Sequence, residues 1–173
     1  MHGTFETDDG RPTVRFERRL AHPVEAVWRA VTEPSELAHW FPAQVTVDHR
    51  VGGTISFTSE DDGMPASGGE VLEFEPPHRF SFTWGASVLR IDLERDGDGC
   101  RVTFIHTLEA RDAAARDAAG WHVCLDRLEE RLAGASPAAP SGDATDEWRA
   151  HYEEYQRRGV PAGAPVPGET PGA

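Results

Sequence analysis

Hydrophobic positions along the chain change period several times, and each change marks an element. Val14, Phe16, Arg18 and Leu20 alternate with Thr13, Arg15, Glu17 and Arg19, so residues 13–20 read as a strand with one charged side chain, Arg18, on its apolar face. At Pro23 the period lengthens. Val24, Val27, Trp28 and Val31 recur at helical spacing, and Thr32-Glu33-Pro34 breaks them before a second short helix carrying Leu37, His39, Trp40 and Phe41. From Gln44 onward the period returns to two. Six strands are expected, over residues 44–50, 54–60, 70–75, 78–84, 87–95 and 100–108. Val51-Gly52-Gly53, a loop from Asp61 to Gly68, Pro76-Pro77 and Asp96-Gly97-Asp98-Gly99 punctuate them. The last strand directs Val102, Phe104, His106 and Leu108 to its core face.

Residues 112–132 then carry Trp121, Leu125, Leu128 and Leu132 at spacings of four, three and four, one stripe of a long helix. Asp112 is placed to cap its first amides and Gly134 to stop it. Burying those four side chains is worth roughly 6–12 kcal/mol, and the strand-rich chain before them is the available partner. Residues 145–158 form one more helix, capped by Thr145, with Trp148, Tyr152 and Tyr155 on one side. The expected organisation is a disordered N-terminus (1–12), a folded domain (13–134), a linker (135–143), a short helix docked on the domain (144–158) and a disordered, Pro/Gly-rich tail (159–173). The fold class is α+β: a curved seven-stranded antiparallel sheet around a long C-terminal helix, with two short helices between its first two strands.

Charge narrows the partners. The formal net charge is −13, from 30 acidic and 17 basic residues, and every basic one is Arg. Such a surface repels nucleic acid and anionic membranes, so neither is an expected partner. No apolar run approaches the ~18–20 residues of a membrane span, and the first residues lack the basic and apolar regions of a signal peptide. Two cysteines, Cys100 and Cys124, do not indicate a disulfide scaffold, and the placement expected is cytoplasmic.

The run from Phe16 to Pro34 (FERRLAHPVEAVWRAVTEP), followed by Leu37 and Trp40-Phe41-Pro42, resembles the signature of the START-like (SRPBCC) superfamily. Within it, the chain is similar to proteins related to the C-terminal domain of the activator of the heat-shock protein 90 ATPase. Gly52-Gly53, the Pro76-Pro77 break before Phe80-Ser81-Phe82-Thr83-Trp84, and Gly120-Trp121 with Leu125 and Leu128 fit the same pattern over about residues 13–134. The resemblance implies the helix-grip fold. It also implies a role among those of the superfamily, whose members include lipophile binders, cyclases and chaperone cofactors.

A curved sheet gripping one helix leaves a gap that can serve as an apolar pocket. The candidate ligand-binding residues are Trp40, Phe41, Phe57, Phe82, Trp84, Leu89, Ile91, Phe104, His106, Trp121 and Leu125, with Trp40 and Phe41 near a mouth. Two polar residues fall on the inner face. Arg18 is a candidate to receive a carboxylate or enolate, or else to pair with a local acid such as Glu17, Glu25 or Asp92. His106 is a candidate to orient a ligand or act as general acid/base, or else to be a satisfied core residue. His39, His49, His78 and His122 lack paired ligand spacing, so no metal site is expected, and no cofactor is implied. The function expected is a binding protein for a small lipophilic or aromatic molecule. The alternatives are a small enzyme of cyclase/aromatase or dehydratase type, with Arg18 or His106 as catalytic candidates, and a co-regulator with a chaperone or other protein as partner. A homodimer through the Trp148–Tyr155 helix is compatible with each.

Overall fold

The computed structural model describes residues 1–58 and 67–168. Its elements in chain order are β1 (Thr4–Asp8), β2 (Arg11–Leu20), α1 (Val24–Thr32), α2 (Pro34–Leu37), β3 (Gln44–Val47), β4 (Thr54–Thr58), β5 (Ser67–Glu75), β6 (Arg79–Trp84), β7 (Ser87–Asp96), β8 (Gly99–Thr107), α3 (Ala114–Leu132) and α4 (Asp146–Arg157). The strands form one curved antiparallel sheet in the order β1-β2-β8-β7-β6-β5-β4-β3. The meander from β3 to β8 therefore closes on β2, which pairs Phe16 with Phe104 and Val14 with His106. Phe16, Phe80, Leu89, Ile91, Phe104 and Leu125 are all essentially sealed from solvent, and together they form the core that α3 presses against the sheet.

The sheet has eight strands rather than seven, because the first residues are ordered. Asp9 and Gly10 both take positive φ (46° and 77°), the conformation a two-residue hairpin requires, and β1 folds back on β2 with Phe5 opposite Val14. The Phe5 ring lies 4.8 Å below the Arg111 guanidinium. Gly3 is buried where a side chain would strike the Phe16 ring, 2.7 Å from an added Cβ. The described part of the tail is likewise packed. Val160 and Val166 rest against the core, and Pro161 O accepts from Ala115 N at 2.8 Å. That bond replaces the expected cap: Asp112 sits in a single 3-10 turn (Arg111–Ala113), and among the described residues no side chain caps α3. Residues 169–173 lie outside the described residues.

Other boundaries shift modestly. β3 ends at Val47, before the turn that carries Gly52 at φ 75°. β5 begins at Ser67, inside the expected loop, whose residues 61–66 lie outside the described residues, as do 59–60 of the strand before it. A register shift between Val71 and Glu73 leaves Leu72 exposed. Gly134 ends α3's course at φ 93°, as expected. In α4, Thr145 Oγ1 accepts from Trp148 N at 3.2 Å, and Trp148 and Tyr155 are buried against the same chain. The apolar stripe of α4 thus docks on α3.

Candidate functional site

The space between sheet and helix is occupied by rings. Phe57 stacks on Trp84 with centroids 4.6 Å apart, Phe41 lies 5.4 Å from Trp84 and 5.5 Å from Trp121, and Phe104 meets Trp121 at 4.6 Å. Trp40, in the turn after α2, is fully buried, its indole donating to Ala30 O at 2.8 Å, so it ties that turn to α1 instead of guarding a mouth. Phe41, Phe57, Phe82, Leu89, Ile91, Phe104 and Leu125 are core residues. Of the candidate lining residues, Trp84, His106 and Trp121 border open space.

That space is a cleft of about 780 Å³ at the end of the sheet. One wall is α3, through Asp117, Gly120, Trp121 and Cys124. A second is the strand end carrying Trp84, Ser87 and His106. The third is the 137–143 segment with Thr145 and Trp148. Sequence periodicity misses this third wall because the Pro- and Ala-rich segment has no period at all. His39 Nδ1, 3.2 Å from Pro137 O, ties its start, and its end leads into the docked α4. The small residues of α3, Gly120 and Cys124, leave the gap that the segment roofs.

His106 is the polar centre of the cleft. It sits on β8 between Val14 of β2 and Leu89 of β7 and is 7% exposed. Trp121 Nε1 donates to His106 Nδ1 at 2.9 Å. The indole can only donate, so Nδ1 is the bare nitrogen and the neutral ring carries its proton on Nε2. Burial pushes the His106 pKa down to about 4, with Asp117 opposing that shift and Arg116 adding to it, so the ring is neutral at physiological pH. His106 therefore offers the cleft a hydrogen-bond donor, not a charge.

The rim charges are already matched. Arg127 donates to Glu130 at 3.0 Å and Glu147 at 2.6 Å, and Arg116 to Asp117 at 2.7 Å. Cys124 borders the cleft, but burial raises its thiol pKa, so the reactive thiolate is suppressed. Arg18 is elsewhere. It is 8% exposed and bonds Asp126 at 2.9 Å and Glu129 at 2.6 Å, both on α3. The local acids expected for it have other partners: Glu17 takes Arg15, Glu25 takes Arg95, and Asp92 takes Arg79 and Arg90.

Away from the cleft, His2, His122 and His151 converge with one donor nitrogen each within 4.8 Å of the others, although no metal site was expected from the spacing of His39, His49, His78 and His122. They come from three separate segments, so no local spacing signals them.

A curved antiparallel sheet closed around one long helix, with two short helices after the first sheet-core strand, is the helix-grip architecture of START-like proteins. The chain belongs to the family described as activator of Hsp90 ATPase homolog 1-like protein, whose sequence pattern matches residues 21–133. Among solved structures it is similar in fold to CalU16 from Micromonospora echinospora (22% identity, 90% of this chain and 92% of that one covered, TM-score 0.67). It is also similar to a conserved protein of unknown function from Enterococcus faecalis (21%, 90% and 89%, TM-score 0.71). A protein from Bordetella parapertussis matches at 26% identity over 90% of each chain, with a TM-score of 0.67. No curated protein matches the chain. Among the described residues, no helix is long and apolar enough to cross a membrane.

Proposed function

We propose that this chain binds a small, uncharged, largely apolar or aromatic molecule in the cleft between α3, the Trp84–His106 strand end and the 137–143 segment. The observation that carries the reading is His106, a neutral donor fixed by Trp121 and set among indoles in a cleft large enough for a drug-sized ligand. The paired rim charges favour a neutral ligand, because an anion would have to compete with Glu130, Glu147 or Asp117 for its arginine. A carbonyl or ether oxygen on the ligand would accept from His106 Nε2. Binding rather than turnover is favoured: Arg18 is engaged with α3, and His106, held below neutrality, is a poor acid or base at pH 7. A docking role for a chaperone partner has less support, since the large apolar side chains exposed among the described residues are Met1, Val51 and Leu72. Two free, buried cysteines support a cytoplasmic placement.

The test is a matched pair of probes, 2-acetylnaphthalene and 2-ethylnaphthalene, assayed by thermal shift, since a ligand of the native state raises the midpoint with the logarithm of 1 + [L]/Kd. The ketone binds about 2–10-fold more tightly, the worth of one hydrogen bond, and His106→Phe erases that difference. Equal affinity of the wild-type protein for both probes, or no binding of either, contradicts the proposal.

A further inference from the structure

Three imidazoles from three parts of the chain meet on the outer side of α3. His122 projects from α3 and is 5% exposed, His151 comes from α4, and His2 from the segment before β1; the latter two are half-buried. The His122 and His151 rings stack with centroids 3.8 Å apart and 16° between planes, and the His2 ring meets His122 edge-on at 5.0 Å. One turn along α3, Asp126 Oδ2 lies 3.8 Å from His122 Nε2. Two donors bound at 2.0–2.1 Å to one tetrahedral ion stand about 3.4 Å apart, so that pair is within a few tenths of an ångström of ligand spacing. His2, His122 and His151 each bring a ring nitrogen within 4.8 Å of the others, and because the stacked His122 and His151 rings aim their lone pairs in parallel, the half-buried His151 and His2 rings must rotate to share an ion.

The supporting contacts fit such a role. Arg18 Nη1 holds Asp126 Oδ1, which orients the carboxylate and leaves Oδ2 on the histidine side. His122 Nδ1 is 2.9 Å from Tyr155 Oη, which in turn accepts from Gly3 N at 2.9 Å. A proton on Nδ1 donated to that hydroxyl would leave Nε2 free as a ligand, the arrangement in which a second hydrogen bond fixes the tautomer of a metal-bound imidazole. Glu147 also approaches Asp126 and His151 but is held by Arg127 at 2.6 Å. We propose that His2, His122, His151 and Asp126 bind a divalent transition-metal ion of the zinc class, fastening the N-terminal segment and α4 onto α3. Imidazole and carboxylate ligands suit zinc, and cobalt(II) is its spectroscopic substitute.

The experiment uses the full chain, without added histidines, after treatment with a chelator. Titration with zinc chloride, followed by calorimetry, is expected to show one ion per chain at micromolar or tighter affinity, with a rise in the unfolding midpoint. Cobalt(II) chloride is expected to give the visible absorption of a tetrahedral complex. His2→Gln and His151→Gln, at half-exposed positions that leave the core intact, each weaken zinc binding at least about tenfold. His78→Gln, whose ring instead faces Leu93 O at 3.1 Å, leaves it unchanged. Absence of saturable zinc uptake, or uptake unaffected by both His2→Gln and His151→Gln, overturns the proposal. Neither result bears on the cleft, which these residues do not line.

Discussion

Arg18 is the residue at which the amino-acid pattern and a hydrophobic core conflict most directly. Its inward placement was legible in the two-residue alternation of β2; its partners were not, because Asp126 and Glu129 lie more than a hundred positions away. A buried guanidinium needs charge-matched acceptors, and α3 supplies both on the face turned toward β2. Among the described residues, its Nε and Nη2 have no hydrogen-bond partner. Arg18→Leu leaves two carboxylates unpaired, and because both are part-exposed the expected loss is about 1–3 kcal/mol by urea unfolding. Adding Asp126→Asn and Glu129→Gln to that variant recovers part of the loss, whereas strict additivity would show that the three residues do not act together. His106 gives a pH signature. The unfolded chain takes up its proton near pH 6.5, the folded chain only near 4. The stability this group contributes is therefore whole above 6.5 and is lost as pH falls toward 4, at up to about 1.4 kcal/mol per pH unit. His106→Gln keeps an acceptor for Trp121 and removes that share of the slope; an unchanged slope contradicts the assignment.

Among the elements, α3 carries two faces where one was readable. Trp121, Leu125 and Leu128 form the stripe that large-residue periodicity detects, and they meet the sheet. Ala115, Ala119, His122 and Val123 are also buried, yet small or polar residues add little to an apolar stripe, so the face that receives α4 and the tail was hidden. Gly120 lies between these faces. A Cβ there meets Trp148 Nε1 at 3.8 Å, ordinary contact, and its place in the body of a helix makes glycine costly. Gly120→Ala is expected to stabilise the protein by about 0.5–1 kcal/mol; a measured loss of stability would show that the gap beside Trp148 cannot take a methyl group. The β1 hairpin was missed for a different reason. Asp9-Gly10 is a strong two-residue turn signal, but β1 has an almost wholly exposed, polar sequence, TFETD, with Phe5 as its single apolar anchor. Composition pointed to disorder, and the turn pointed correctly to a strand.

For the molecule as a whole, the helix-grip architecture follows from strand alternation, turn residues and one tryptophan- and leucine-faced helix, all local features. The site does not. Its location depends on how completely Phe41, Phe57, Trp84 and Trp121 fill the grip, a matter of side-chain volume in three dimensions. With the interior filled, the room for a ligand moves outward to where the aperiodic 137–143 segment crosses α3. The five tryptophans report directly on that displacement. Trp84, Trp121 and Trp148 border the cleft, while Trp40 is sealed in the core and Trp28 packs on Phe74. Indole N–H resonances followed by NMR during titration with 2-acetylnaphthalene should shift for Trp84, Trp121 and Trp148 and stay fixed for Trp28 and Trp40. Movement centred on Trp40, or no movement at the three cleft indoles, would contradict the account.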